Sequence, residues 1–223
     1  MSRVKWDQTS EKLFETGVDR GVLYLFNSKS KDYINGVAWN GLTGVSETPS
    51  GAEPTALYAD NIKYLTLMSA EELGGTITAY MYPDEFKACD GSADLETGIT
   101  IGQQDRKVFG LSYRTKIGND TDGNDHGYKL HLIYGCLASV SERAYNTVND
   151  SPEPLEFSWE FSCTPVDVPG FKPTAIVTID STKVDAEKLK TFEDILYGSD
   201  TAGSGTEPKL PLPAEIKAHF AAA

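Results

Sequence analysis

The chain has 223 residues, a length that fits one large β domain or one domain with a smaller appendage. It carries 33 acidic and 20 basic residues, and its formal net charge of -13 argues against a protein that grips nucleic acid phosphates. An acidic wall that lets DNA pass is not excluded, because like charges repel. The sequence opens without an apolar signal core and has no run of membrane-spanning length, so we expect residence in a cytoplasm.

The three cysteines, Cys89, Cys136 and Cys163, are far apart in the sequence and form no C-x-x-C pair. An odd number of scattered cysteines is typical of a reducing compartment and not of a disulfide framework. Cys136 and Cys163 fall in apolar strand patterns, which predicts that both are small core residues.

Residues 40–61 are the first distinctive segment in chain order. They hold three glycines and two prolines with few apolar core residues, which predicts a long loop. A loop of this length inside a compact domain usually has a function. Five later runs, separated by glycines and prolines, have strand character: residues 75–82, 106–117, 128–138, 155–163 and 174–180.

Residues 155–163, LEFSWEFSC, show the strictest alternation in the chain. Their apolar residues fall on one face of a strand, and Glu156 and Glu160 fall on the other. Many short strands with turn signals between them indicate a sandwich or a barrel. The predicted fold class is therefore mainly β, an antiparallel β-sandwich or partial barrel flanked by one α-helix.

The one clear helix pattern covers residues 185–197, where apolar residues recur at helical spacing. Asp185 is the predicted N-cap and Gly198 the predicted C-terminal stop. Residues 198–223 begin with GSDTAGSGTEPKLPLP, a linker composition. We therefore predict a β-sandwich domain over 1–197 and a flexible linker with a C-terminal tail over 198–223.

An acidic cluster at residues 119–125 superficially resembles a calcium loop. Counted from Asp120, the sixth position holds Asp125 in place of the required glycine, and the twelfth holds His131 in place of the required glutamate. A polar hairpin turn between two strands explains the cluster better. His126 and His131 are an odd number of residues apart, so a strand places them on opposite faces and disfavours a shared metal. No metal or other cofactor is predicted.

The sequence contains no G-x-S-x-G, P-loop, H-E-x-x-H or dinucleotide-binding motif. Glu156 and Glu160 would stand about 13 Å apart on a strand, which is too far for the paired acids of a glycosidase. We therefore predict that the protein is not an enzyme and assign no catalytic residue.

Four long segments resemble the major tail protein, or tail tube protein, of long non-contractile-tailed phages of Gram-positive hosts. They are NGVAWNGLTGVSETPSGAEPTALYADNIKYLTLMSAEELGGTITAYMYPDEF from Asn35 to Phe86, IGQQDRKVFGLSYRTKIGNDTDGNDHGYKLHLIYG from Ile101 to Gly135, NTVNDSPEPLEFSWEF from Asn146 to Phe161, and FEDILYG from Phe192 to Gly198. Together they cover about half of the chain. Residues 198–223 resemble the family less clearly.

The resemblance implies a structural virion protein whose six copies close a ring around a continuous β-barrel. Rings then stack into a tail tube that conducts the genome during ejection. The implied partners are other copies of the chain, the tape-measure protein, and the tail terminator and distal tail proteins. DNA would pass through the lumen without specific binding, and the location would be the virion tail after assembly in the host cytoplasm.

Within the matching segments, five residues are candidates for contacts between subunits: Trp39, Leu42, Pro49, Leu57 and Tyr58. Glu156 and Glu160 are the candidates for the lumen wall. Two other functions remain open from the residues alone. One is a carbohydrate-binding β-sandwich, suggested by Tyr80, Tyr82 and the tryptophans, and the other is a hydrolase on a β-sandwich.

Overall fold

The computed structural model describes residues 3–147, 150, 154–200 and 205–221. Within these residues most of the regular structure is β. The strands are β1 Phe14–Asn27, β2 Asp32–Ala38, β3 Leu42–Glu47, β4 Ser50–Gly51, β5 Pro54–Ala59, β6 Ile62–Met68, β7 Glu71–Glu72, β8 Gly74–Ala79, β9 Ala93–Glu96, β10 Ile99–Ile101, β11 Phe109–Asn119, β12 Gly123–Ala138, β13 Phe157–Cys163 and β14 Ile176–Asp180. The helices are α1 Lys87–Asp90, α2 Ala186–Tyr197 and α3 Pro213–Ala221, and a single 3-10 turn covers Asp84–Phe86.

One large antiparallel sheet organises the molecule. Its strand order is β2-β1-β11-β12-β13-β8-β3, and β14 pairs with β12 outside this path. Three short two-stranded pairs, β9–β10, β4–β7 and β5–β6, lie outside the large sheet. The predicted fold class, mainly β with antiparallel sandwich-like layers, is confirmed.

The long strand β12 pairs with two different strands on the same side. Residues 129–133 pair with β14, and residues 136–138 pair with β13. The change of partner occurs at Gly135, which has φ +62 and where an added Cβ would lie 2.2 Å from Thr164 O. The register between β11 and β12 also shifts here, as expected for a β-bulge. One strand thus joins two parts of the sheet.

Both faces of the central strands are buried. Consecutive residues of β1 point to opposite sides: Leu23 enters a cluster with Trp39, Phe109 and Trp159, which we call the inner core, while Tyr24 points the other way. The second cluster, the helix-side core, is formed by Val22, Tyr24, Tyr33, Leu130, Leu132, Tyr134, Ile179, Leu189, Phe192, Leu196, Leu210 and Ile216. Helices α2 and α3 therefore cover one face of the central sheet.

Helix α2 forms where the sequence predicts it. Asp185 caps its N-terminus, because the Asp185 carboxylate accepts hydrogen bonds from the amides of Glu187 and Lys188 at 3.1 and 2.9 Å. Gly198 follows the helix with φ +82. The buried hydroxyl of Tyr24 donates to the Leu196 carbonyl at 2.7 Å, which ties the end of the helix to β1.

The predicted flexible C-terminal tail is wrong for residues 205–221. This segment contains α3, and Leu210 is fully buried in the helix-side core. The Leu210 amide donates to the Tyr33 carbonyl at 3.0 Å, and the Tyr134 hydroxyl donates to the Pro211 carbonyl at 2.8 Å. A short apolar sequence within this polar, linker-like segment completes the helix-side core. Residues 201–204 of the predicted linker lie outside the described residues.

The predicted loop over residues 40–61 is also wrong. It contains β3, which belongs to the large sheet, and β5, which forms a separate hairpin with β6. Its glycines and prolines interrupt the strands without abolishing them. Among the described residues, no helix is long and apolar enough to cross a membrane.

Candidate self-assembly interface

Strands β5 and β6 form a hairpin, residues 54–68, that we call the ribbon. Its two-residue turn is Asp60–Asn61, with φ angles of 51° and 63°. Positive φ at both central residues is the requirement of a type I′ turn, whose twist matches that of paired strands. Asp and Asn tolerate this conformation better than most residues. The local sequence therefore specifies a hairpin here.

A short pair of strands connects the ribbon to the large sheet. Ser50 and Gly51 of β4 pair with Glu72 and Glu71 of β7. Gly51 has φ +80, and a Cβ at this position would lie 2.4 Å from Ala70 O. Only glycine fits here without a shift of the backbone, so the base of the ribbon has a defined geometry.

The ribbon has apolar side chains on both faces. Leu57 lies directly opposite Leu65 in the register, and Leu67 shares their face because strand residues alternate. Met68 of β6 and Tyr58 of β5 lie on the opposite face by the same alternation. Covering one face would therefore leave apolar groups of the other face in water.

The ribbon is exposed to an extent that is unusual for its composition. The exposed fractions of Tyr58, Tyr64 and Met68 are 72%, 70% and 68%. Within the described residues, β5 and β6 make their extensive contacts only with each other. An isolated two-stranded hairpin is marginally stable in water, and an apolar surface of this kind marks an interaction site.

The structure separates the five predicted interface residues. Leu57 and Tyr58 lie on the ribbon, and Pro49 is exposed between β3 and β4. Trp39 is wrong as an interface candidate: it is 3% exposed in the inner core, and its indole Nε1 donates to the Met81 carbonyl at 3.1 Å. Leu42 is half-buried and packs against the same core.

The second half of the ribbon was not among the residues predicted from the sequence. Five exposed apolar residues of β6 belong to the ribbon: Ile62, Tyr64, Leu65, Leu67 and Met68. The signal was present, since the strand-forming run IKYLTLM follows an Asp-Asn pair suited to a tight turn. With apolar residues on both faces, the run shows no alternation that would assign it to an ordinary half-buried strand.

A second surface is polar and lies on the large sheet opposite the inner core. It is formed by alternate residues of β3, β8 and β13, and we call it the polar face: Ser46, Thr76, Thr78, Ser158, Glu160 and Ser162. Glu160 is exposed and lies opposite Thr76. Glu156, just before β13, accepts a hydrogen bond from Thr43 Oγ1 at 2.6 Å. These three strands contain no Lys or Arg.

Strand β3 ends the large sheet. Among the described strands it pairs with β8 only, and β1 lies near it without pairing, so its other edge retains backbone donors and acceptors that no described strand pairs. The opposite end of the sheet differs, because the Pro208 carbonyl accepts from Gly36 N at 3.1 Å, and Leu210 N donates to Tyr33 O. An open edge is a ready site for pairing with another chain.

Ionisable side chains fix the end of β3 to the central strands. Glu47 accepts a hydrogen bond from the Tyr113 hydroxyl, and its Oε1 lies 3.5 Å from His131 Nδ1. Burial raises the pKa of Tyr113, and its hydrogen bond to Glu47 adds to this effect. The Tyr113 hydroxyl therefore remains protonated and holds β3 immediately before the ribbon begins.

Of the two tyrosines that suggested a sugar-binding site, one belongs to the core. Tyr82 packs edge-on against Trp159 in the inner core, with ring centroids 5.2 Å apart, and only Tyr80 of the proposed sugar-binding pair is well exposed, at 50%. A surface cavity of about 500 Å³ includes Asp90, Arg106 and Arg143 in its lining. The Arg143 guanidinium pairs with the Asp90 carboxylate across it.

The acidic cluster at 119–125 forms the tight connection between β11 and β12. Asn119 Oδ1 accepts from the amide of Thr121 at 3.0 Å and also from that of Asp122. His126 Nδ1 lies 3.2 Å from Asp122 Oδ2, whereas His131 belongs to the Glu47 cluster. In the part of the chain that the structure describes, no three His, Cys, Asp or Glu side chains converge as a metal site.

No family model matches the chain, and no curated protein matches it. The interpretation of the ribbon, the polar face and the open edge therefore depends on their geometry and chemistry.

Proposed function

We propose that the chain is the major structural subunit of a phage tail tube, and that its copies assemble as stacked, hexameric rings enclosing a conduit for genome ejection. The ribbon carries this proposal. Its apolar side chains lie on both faces and are largely exposed in a single chain. Such an element requires cover on two sides, which neighbouring copies in a repeating assembly supply.

The open edge of β3 supports closure into a ring. Pairing of this edge with another copy would satisfy its free backbone groups and continue the large sheet across the subunit boundary. A contact between two different surfaces of the same chain is heterologous, and it produces rings or filaments according to the rotation it imposes. The ribbon lies outside the large sheet, so it would remain available for contact with a further copy.

The polar face supports the assignment of a conduit wall. It presents hydroxyl groups and the Glu160 carboxylate, and β3, β8 and β13 contribute no basic side chain to it. Gripping DNA requires clustered Lys and Arg, so this face would repel a passing phosphate backbone. Glu156 and Glu160 are accordingly proposed as lumen residues. The tape-measure, tail terminator and distal tail proteins are proposed partners on the basis of the sequence resemblance.

The decisive experiment removes the ribbon and retains the rest of the sheet. Replacing residues 52–70 with Asn-Gly removes the ribbon and leaves β3 intact. This dipeptide suits a type I′ turn and can join Gly51 to Glu71, which are already paired. We expect the variant to keep its cooperative thermal unfolding and to form no tubes in negative-stain electron microscopy, whereas the unmodified chain forms rings or tubes.

Two results would contradict the proposal. One is normal tube formation by the replaced variant. The other is an unmodified chain that remains monomeric at high concentration with its tail partners present. A matched control is Leu95→Ser in the β9–β10 hairpin, which also exposes a large apolar residue, at 63%, but lies outside the ribbon.

A further inference from the structure

Two thiols meet where β12 pairs with β13. Cys136 and Cys163 are directly opposite each other in the register, and their Sγ atoms are 3.8 Å apart. Cys136 is fully buried and Cys163 is partly exposed. The residues are 27 positions apart in the sequence, so the proximity is a product of the fold.

The backbone pattern makes this an unusually close cross-strand pair. The amide of Cys163 donates to Leu73 O at 2.9 Å, on the side away from β12, and the adjacent Thr164 N donates to Gly135 O at 2.9 Å. Cys136 and Cys163 are therefore a non-hydrogen-bonded pair, in which Cα atoms are about 4.5 Å apart and side chains approach most closely. That separation is within the range of disulfide-bonded cysteines, about 4.4 to 6.8 Å.

The pair also lies at the narrowest junction of the large sheet. Only three residue pairs join β12 to β13, namely those of Cys136, Leu137 and Ala138. By contrast, six residue pairs join β13 to β8, from Phe157 to Ser162. A covalent bond at Cys136 and Cys163 would connect the half of the sheet that carries the helices to the half that carries the polar face.

We propose that Cys136 and Cys163 form a redox modification site, in which a small hydroperoxide converts the two thiols into a cross-strand disulfide. The Cys163 thiolate attacks a peroxide oxygen, the O–O bond breaks, and hydroxide leaves as a sulfenic acid forms on Cys163. The Cys136 sulfur then attacks the Cys163 sulfur, and the S–O bond breaks. The departing hydroxide and the Cys136 proton form water, so two thiols and hydrogen peroxide give one disulfide and two water molecules.

The order of these steps follows from burial. Burial raises the pKa of the Cys136 thiol, and its contact with Cys163 raises it further. Burial also raises the pKa of Cys89, to about 12, which leaves that thiol protonated and unreactive. Cys163 is the most exposed of the three cysteine residues and is where oxidation begins. This inference does not rest on the proposed function.

The test uses the full chain, folded, with hydrogen peroxide as the oxidant. Intact mass and peptide mapping should show a loss of about 2 Da and a link between the peptides that contain Cys136 and Cys163, with Cys89 still alkylatable after denaturation. The crosslink should lower the unfolding equilibrium constant by roughly 100-fold, and dithiothreitol should reverse the change. Cys89→Ala should behave like the unmodified chain, and Cys163→Ala should lose the 2 Da change.

Three outcomes would overturn the inference. The first is overoxidation of Cys163 to sulfinic acid while Cys136 remains a thiol. The second is a bond that involves Cys89 or joins two chains. The third is retention of all three thiols under peroxide concentrations that oxidise a free cysteine. Peptide mapping of the unmodified chain distinguishes these results even if a variant folds poorly.

Discussion

The ring of Tyr113 stacks on the imidazole of His131, with centroids 4.7 Å apart and planes inclined by only 5°. Thr115 Oγ1 donates to Glu15 Oε1 at 2.5 Å and lies 2.9 Å from His131 Nε2. The neutral imidazole must then carry its proton on Nε2, because the hydroxyl proton of Thr115 is already used. His131 Nδ1, left without a hydrogen-bond partner, faces Glu47.

This arrangement predicts a loss of stability in mildly acidic solution. Burial lowers the pKa of His131, and the charge of Lys129 lowers it further, whereas Glu47 and Glu15 raise it. Thr178 lies opposite His131 on the neighbouring strand. The unfolded chain therefore binds a proton more readily than the folded chain, and stability falls as pH drops below about 6.5.

Titration of His131 alone changes the free energy of unfolding by at most about 1.4 kcal/mol per pH unit. His131→Gln should flatten the dependence in chemical denaturation measured between pH 7 and pH 5. His126→Gln, at a more exposed histidine, is the control and should leave the dependence in place. An identical slope in the two variants would show that His131 is not responsible.

Asp19 and Arg114 predict a second pH effect at lower pH. Arg114 donates from Nε and from Nη2 to the two carboxylate oxygens of Asp19, at 2.6 and 2.7 Å. These hydrogen bonds hold the pKa of Asp19 below its ordinary value of 3.8, against the effect of burial. The carboxylate therefore contributes stability above about pH 3.8, and this contribution is lost as pH falls through the folded-state pKa.

Asp19→Asn should lower the free energy of unfolding by about 1 kcal/mol at pH 7, a modest value because solvent screens the partly exposed pair. Urea titrations at pH 7 and near pH 2 measure the effect, and the difference from the unmodified chain should shrink in acid. Asp105→Asn at an exposed position is the control. If Asp19→Asn is still less stable than the unmodified chain near pH 2, the loss of stability comes from packing and not from the ion pair.

The leucines of the ribbon give a finer test of assembly than its removal. Changing Leu57, Leu65 and Leu67 together to Ser should leave the thermal midpoint within a few degrees of the unmodified value, since these residues are already 42%, 37% and 55% exposed and none belongs to either core. The same change should abolish tubes or raise the protein concentration at which they form by at least about tenfold, as light scattering would show. Thr55→Ser with Thr66→Ser is the matched ribbon control. Tubes formed by the triple variant at the unmodified concentration would place the contact elsewhere.

The polar face predicts separate effects on assembly and on genome passage. Glu156→Lys with Glu160→Lys places two positive charges on or beside a surface that lacks Lys and Arg in its three strands. Tubes should still form, while phage carrying the double variant should eject DNA more slowly and less completely, since the wall now attracts phosphates. Glu187→Lys with Asp194→Lys on α2, on the helix-covered side, is the charge-matched control. Unchanged ejection kinetics would remove Glu156 and Glu160 from the lumen.

The C-terminal segment predicts a large stability effect from one residue. Leu210 is fully buried, so Leu210→Ala should cost about 2–5 kcal/mol by removing apolar contacts and leaving a cavity. Leu95→Ala, at a leucine that is 63% exposed, should change stability by less than about 0.5 kcal/mol. Equal, small losses in chemical denaturation would indicate that residues 205–221 do not complete the core.

The parts of the fold that follow local rules were predictable. The alternation in β13 is reproduced, with Trp159 and Phe161 buried and Glu160 exposed. The cap at Asp185 correctly placed the start of α2. Both features are set by neighbouring residues, so a single sequence contains the information.

The parts that depend on distant contacts were not predictable. Trp39 stands just before Gly41 and Gly44, and its burial depends on aromatic partners such as Phe86, at 4.6 Å between ring centroids, which only the fold brings near. Leu210 follows a linker-like stretch, and its burial depends on β2. The proximity of Cys136 and Cys163 likewise requires the pairing of β12 with β13.

The division of β12 between β14 and β13 has a mechanical consequence. Because one continuous strand serves both parts of the sheet, neither part can rotate against the other without bending that strand and breaking its hydrogen bonds. Each copy should therefore act as a stiff block. Curvature in a polymer of such blocks must arise at the joints between copies, and its persistence length would report the compliance of those joints.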